Sequence, residues 1–292
     1  MYANDFPDPS VVRIGPEYWA AGTANGSSTF PPILRSTDLV HWSLAGSIFQ
    51  SAPSWTDGQR YWAPELARQG DRYLAYYSAR RPTGRMCVAV AYSDAPIGPY
   101  TDDGPLVCQP AGSIDPSVAH NSEGWPFLVW KEDRNTQGVT TVIWIQPLSQ
   151  DGLALTGVPR KILAATGRDW EGGVVEGPQI IRRKGWNYLF YSGNLCCGPN
   201  CEYAMGVARS RGLYGPWRRD KRNPVLDSDD SWLCPGHGSL AQSPNGRWWM
   251  LYASYNAVDQ ISPGRSLLLD PVRWTRDAWP VVNGGKGPSA GH

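Results

Sequence analysis

Apolar and polar positions along the 292-residue chain fall into five segments that share one pattern. They are PDPSVVRIGPEYWAAGT from Pro7, WAPELARQGDRYLAYYS from Trp62, IDPSVAHNSEGWPFLVW from Ile114, VEGPQIIRRKGWNYLFYS from Val175 and GHGSLAQSPNGRWWMLYAS from Gly236. Each opens on small or acidic residues, runs on as a short apolar strand, turns, and returns as an aromatic-rich strand. The turns are Gly15-Pro16, Gly70-Asp71, Ser122-Glu123-Gly124, Lys184-Gly185 and Pro244-Asn245-Gly246. These are the residue types that short hairpin loops require, so each segment is predicted as a β-hairpin. A second signature follows each one: STDLVHW ending at Trp42, YSDAPIGPY at Tyr100, QPLSQDGLAL at Leu155, ARSRGLYGPW at Trp217 and RSLLLDPVRW at Trp274. It is read as the outer two strands of a four-stranded unit.

With Pro9, Pro64, Pro116, Pro178 and Gly238 as anchors, the repeat steps are 55, 52, 62 and 60 residues. That is close to the ~40 to 50 residues of a propeller blade plus loop insertions. One such unit cannot bury both faces of its sheet alone, so neighbours must stack, and radial closure leaves few exposed edges. The expected fold is all-β, a five-bladed β-propeller over residues 1–283, with 284–292 as a flexible tail. A β-sandwich of many short strands is the alternative, but it leaves the fivefold recurrence of one opening unexplained.

Composition agrees with this. Trp 15 and Tyr 14 against Phe 5, with Gly 32, Pro 26 and Met 4, favour strands and turns over long helices. A formal charge of +1, evenly spread, gives no basic face for a phosphate backbone, so nucleic acid is not expected as a partner. No stretch approaches the ~18 to 20 apolar residues of a membrane span. The N-terminus MYANDFPDPS carries no signal-peptide pattern and lies close to the first motif, as expected of a processed or trimmed start. Six cysteines, an even number, fit an oxidising compartment and hence secretion, although they allow 15 pairings. Cys87 and Cys108 flank a strand–turn–strand segment and suit a bridge. Cys196, Cys197, Cys201 and Cys234 suit two bridges over a loop, or a zinc site, although CCxxxC lacks the usual zinc spacing.

In a propeller the first strand of every blade lines the central channel, so the five openings gather about one axis. They bring Asp8, the Trp62-Ala63-Pro64 turn, Asp115, Glu176 and His237 together. Carboxylates crowded in one place acquire unequal pKa values, which makes one an acid and another a base. Glycosidic cleavage needs that division: a protonated carboxyl for the leaving oxygen and an ionised one to activate water or attack carbon. Each residue has a plainer reading as well. Asp before Pro commonly caps a turn, Glu176 among apolar residues fits a buried ion pair, and His237 between glycines fits a tight turn.

At these residues the chain resembles glycoside hydrolase family 43, five-bladed propeller enzymes acting on arabinan and xylan side chains. NDFPDPSVVR, YWAPELA, GSIDPSV, VVEGPQII, FYSGN, PGHGSL and GRSLLLDPVRW occur in the family's order over nearly the whole chain. The resemblance implies Asp8 as general base, Glu176 as general acid and Asp115 as the residue that tunes and orients that acid. It further implies inversion at the anomeric carbon, with acid and base roughly 6.5 to 9.5 Å apart. It also implies a hydrated calcium ion on the axis at His237, an arginine fork at Arg265 and a sugar platform at Trp62. Ser117 of IDPS and Asn194 after FYSG join Trp62 and Arg265 as expected substrate-binding residues. NLCCGPNCEY, a cysteine-bearing insertion beside the expected pocket mouth, departs from the pattern. The chain ends after the fifth repeat without the C-terminal β-sandwich of many xylosidases of the family, which points to arabinofuranosyl substrates.

The expected activity is therefore exo-acting α-L-arabinofuranosidase with β-xylosidase as its neighbour, on arabinose- or xylose-containing oligo- or polysaccharide, by a monomer. An endo-1,5-α-L-arabinanase needs an open groove. A non-catalytic carbohydrate-binding propeller, the reading from another class, needs no acid–base pair.

Overall fold

The structure is a computed structural model that describes residues 2–25, 28–167, 169–259 and 264–289. Twenty strands among them form five four-stranded antiparallel sheets, each taken from consecutive chain. Blade one holds β1 Ser10–Ile14, β2 Glu17–Ala21, β3 Pro32–Ser36 and β4 Ser43–Ser47. Blade two holds β5 Trp62–Gln69, β6 Arg72–Arg80, β7 Met86–Ser93 and β8 Thr101–Val107. Blade three holds β9 Ser113–His120, β10 Pro126–Glu132, β11 Val142–Pro147 and β12 Arg160–Ala164. Blade four holds β13 Val175–Arg183, β14 Trp186–Gly193, β15 Ala204–Ser210 and β16 Arg218–Arg219. Blade five holds β17 Trp232–Gln242, β18 Trp248–Asn256, β19 Arg265–Trp274 and β20 Pro280–Val282. The innermost strands touch in a closed cycle, β1 on β5, β5 on β9, β9 on β13, β13 on β17 and β17 back on β1, which is a five-bladed propeller.

The five predicted hairpins are the first two strands of the five blades. Their turns work as their chemistry dictates: Lys184 (φ 48°) and Gly185 (φ 76°) are both left-handed between Arg183 and Trp186, the geometry whose twist matches paired strands. The second signature falls on the connection between third and fourth strands in blades one to four, and on the third strand itself in blade five.

Alternate residues of each sheet serve different neighbours. On β6, Ala75 and Tyr77 join the apolar layer with Trp19 and Ile33 of blade one, while Leu74 and Tyr76 join the layer with Leu128 and Trp130 of blade three. Every gap between blades is filled in this way, including the one between five and one, where Phe6, Tyr18 and Leu34 meet Leu251 and Leu267. Both faces of every sheet are therefore covered, as the repeat required.

Cys87 is bonded to Cys108, Cys201 to Cys234, and Cys196 to its neighbour Cys197. The last four cysteines thus form bridges and not a zinc site. Among the described residues no helix is long and apolar enough to cross a membrane. Of the tail read as flexible, 290–292 lie outside the described residues, and Ser289 N–H donates to the buried Asp270 at 3.1 Å.

Candidate active site

The innermost strands kink where their sequence motifs open. The residue before each of the five anchors has a positive φ: Asp8 54°, Ala63 42°, Asp115 57°, Gly177 54° and His237 51°. This region is costly for residues with a Cβ, by roughly 1–3 kcal/mol each, and persists only where the surroundings impose it. Here the preceding blade does so. Ala63 N–H donates to Thr23 Oγ1 (2.8 Å), Asp115 N–H to Ser78 Oγ (3.0 Å), Gly177 N–H to Asp115 Oδ2 (3.0 Å) and His237 N–H to Ser192 Oγ (2.8 Å). The kink brings one side chain per blade to the channel mouth, and two in blade three. Asp8, Asp115 and His237 come from the left-handed position, and Trp62, Ile114 and Glu176 from the one before it. All six line one cavity of about 400 Å3, together with Arg265. Gly236 is needed beside it, because a Cβ there would overlap the ring of buried Tyr203 at 1.9 Å.

The carboxylates are held differently. Asp8 accepts from Arg265 Nη1 (2.7 Å) and Nη2 (3.3 Å) and from Thr23 Oγ1 (2.6 Å), and His237 Nδ1 lies 3.6 Å from its Oδ1. Burial pushes the Asp8 carboxyl up, but the Arg265 and His237 charges and these hydrogen bonds outweigh it and hold the group below the usual carboxylate range. Asp115 has no such guanidinium. Burial, reinforced by the charge of Glu176, pushes it up to about 6 against the opposing pull of His237 and Lys131. Its Oδ2 also holds Gly177 N–H, so it fixes the backbone next to Glu176.

Lys131, absent from the sequence expectations, is 1% exposed, donates to Glu176 Oε2 at 2.6 Å and forms an ion pair with Asp133 Oδ1 at 3.0 Å. Burial lowers its pKa, and the charges of Glu176 and Asp133 more than reverse that. The repeats held the signal. Lys131 pairs with Ile114 in the seat where Ser78 pairs with Trp62 and Ser192 with Glu176, so the sequences YYS, FYS and VWK occupy equivalent ends of second strands. Asn135 and Thr136 also line the cavity and were not expected there, and Cys196 and Cys197 bring to it the insertion expected beside its mouth.

Two expected substrate-binding residues lie elsewhere. Ser117, 3% exposed, lines a small cavity behind His237, deeper in the channel, because it sits two residues past the kink. Asn194 is not among the lining residues, and its side chain closes a loop by bonding Glu202 Oε2 (2.9 Å) and Leu195 N–H (2.9 Å).

The geometry matches a known group of proteins. Residues 1–280 match the profile of the Glycosyl hydrolases family 43. The chain belongs to glycoside hydrolase family 43. Relatives of this family 43 chain include "Xylosidase/arabinosidase 43B" of Humicola insolens, 29% identical over 97% of the chain and 54% of that protein. Another is "Extracellular endo-alpha-(1->5)-L-arabinanase 1" of Bacillus subtilis (strain 168), 26% identical over 94% of the chain and 86% of that protein. The chain spans about half the length of the xylosidase/arabinosidase relatives it matches. A solved structure, a thermostable family-43 glycoside hydrolase, superposes with a TM-score of 0.86 at 27% identity, covering 100% of this chain and 98% of that one.

The family resemblance carried a calcium expectation, which the residues themselves test. Behind His237 the channel holds a cavity of about 10 Å3 bordered by Glu65, Ser117, Gln179 and Ser239, with Ser117 Oγ buried and unpartnered. Calcium takes six to eight oxygens, and a hydrated ion needs several times that space. Among the described residues no three His, Cys, Asp or Glu side chains converge to hold a metal. That small cavity does not fit the ion, whereas His237 also borders the cavity of about 400 Å3 beside the carboxylates, and no chemical step below runs through calcium.

Proposed function

We propose that this family 43 chain is an inverting glycoside hydrolase that removes terminal pentoses from arabinose- or xylose-containing polysaccharide, as an α-L-arabinofuranosidase with β-xylosidase activity. One observation carries the reading. Within one cavity, Arg265 clasps Asp8 and holds it ionised, while Asp115, beside Glu176, is pushed up to about 6. That is the division of labour hydrolysis demands. Asp8 takes a proton from water as its oxygen attacks the anomeric carbon. The glycosidic bond breaks, and Glu176 passes a proton to the departing oxygen. Since Lys131 occupies Oε2, that proton is carried on Oε1. Asp115 orients the acid through Gly177 N–H. A cavity of about 400 Å3 suits one or two pentose rings, which supports action at chain ends. Three disulfides suit an exported protein acting as a monomer outside the cell.

A second reading, endo-arabinanase, draws on the groove beyond Trp62 lined by Asn25, Gly58, Gln59 and Arg60, which continues from the cavity past the indole. Proton NMR during hydrolysis of aryl arabinofuranoside, aryl xyloside and linear arabinan separates the two. Terminal pentose of inverted configuration is expected, whereas long oligosaccharides alone would establish the endo reading, and product of retained configuration would remove Asp8 from the role of base. Glu176→Gln is expected to lower kcat by about a hundred- to ten-thousand-fold with sugar binding kept. Equal turnover would exclude it as the acid.

A further inference from the structure

Cys196 and Cys197 line the same cavity as the three carboxylates, and they are bonded to each other. A disulfide between adjacent residues closes almost no loop, so it removes little entropy from the unfolded chain and ties no two elements together. The other two bridges do that work: Cys87–Cys108 spans 21 residues and Cys201–Cys234 spans 33. A local purpose is needed for the adjacent pair, and the loop around it is built to place it. Leu195 carbonyl accepts from Glu202 N–H at 2.9 Å, Asn194 Nδ2 donates to Glu202 Oε2 at 2.9 Å, and Cys201 is bonded to Cys234 on β17, three residues before His237. The loop tip is thus anchored to its own blade and to the next, against the pocket.

The chemistry of the bridge adds apolar surface to that of Trp62 and Ile114, which line the same cavity. Carboxylates, Lys131 and Arg265 meet sugar hydroxyls, but a pentose ring also presents C–H faces that need apolar walls. Trp62 is one such wall, and it is shared with Arg60, whose guanidinium lies 5.5 Å from the ring centroid. A disulfide has no S–H to donate, and its sulfurs are soft and polarizable. We propose that the Cys196–Cys197 disulfide is a further apolar wall of the sugar site and contacts the C–H face of the bound pentose, so that affinity for pentosides depends on this pair being oxidised. The inference rests on the pentosidase reading and names part of its specificity.

The test compares wild type with Cys196→Ala/Cys197→Ala on aryl arabinofuranoside and aryl xyloside, with peptide mapping to confirm that Cys201–Cys234 remains. KM is expected to rise about tenfold or more, the value of a lost apolar contact, with kcat within about threefold. An unchanged KM in a variant that melts cooperatively overturns the proposal, as does a fall in kcat alone. Should that variant not fold, brief treatment of native wild type with a phosphine reductant decides: KM must rise as the accessible pair opens, and return on reoxidation. If wild type cleaves no pentoside, the pentosidase reading and this inference fall together. If it cleaves them and KM ignores the pair, only the inference falls.

Discussion

Asp8 and Asp115 are the same residue in the same place, one step before a proline on an innermost strand, yet their neighbours push them in opposite directions. Arg265 faces the first, and burial with Glu176 governs the second. The activity window follows from that contrast. As pH rises through about 6 Asp115 loses its proton, so kcat/KM is expected to fall above that point, while Asp8, held low, sets a limb well to the acid side. A flat profile from pH 5 to 8 would contradict it. Glu65 tells a different story, of stability. Burial in the channel raises it to about 8 against a single backbone N–H from Val118. An acid raised in the folded state favours folding while protonated, and that contribution drains away as pH climbs from the unfolded value near 4.5 through 8. Glu65→Gln is therefore expected to raise the melting temperature by several degrees at pH 9 and to leave it nearly unchanged at pH 4.5, since each pKa unit is worth about 1.4 kcal/mol. Equal effects at both pH values would remove ionisation as the cause. Asp8, Asp115, Glu176 and His237 were legible because motif and repeat agreed on them, and Arg265 through the family resemblance alone. Ser117 and Asn194 were misplaced because a kink and a loop closure, neither visible in residue type, decide where those side chains lie.

The five kinks are the elements that turn a sheet into a site. Each is a left-handed residue whose N–H, in blades two to five, is taken by a side chain of the blade before it. Gly177 is the one position where the sequence concedes the conformation openly. Alanine there would strain φ +54° and set its Cβ 3.1 Å from the His237 ring. Gly177→Ala is expected to cost about 1–3 kcal/mol in denaturant unfolding and to lower kcat, since it shifts both His237 and the neighbouring Glu176. Loss of neither would show that the strand relaxes freely. Hairpins, turns and anchors could be read from apolar alternation and Gly/Pro/Asn chemistry. The bulges could not, for Asp-Pro and Ala-Pro do not announce a positive φ. Lys131 shows what a closer comparison of repeats reveals: a charge in the seat that serine fills in blades two and four.

At the scale of the whole molecule, five apolar layers between blades account for the fold, and their alternation was visible in strands such as YLAYYS, where successive residues face different neighbours. The axis was less legible. The small cavity behind His237 does not take a hydrated calcium as packed, so melting temperature and kcat are expected to change little between millimolar calcium and excess chelator. A saturable upward shift in melting temperature would show that the channel opens to admit the ion.

One feature of the circle reaches into the chemistry. Blade five meets the start of the chain through Arg265: its N–H donates to Asp5 Oδ1 at 2.7 Å, its carbonyl accepts from Phe6 N–H at 3.0 Å, and its guanidinium clasps Asp8. One residue of the seam that shuts the ring is thus also the clamp that arms the base. A molecule sprung open there would keep its acid and most of its sugar walls yet have a disarmed base, so water is put to use only by rings that have fully shut.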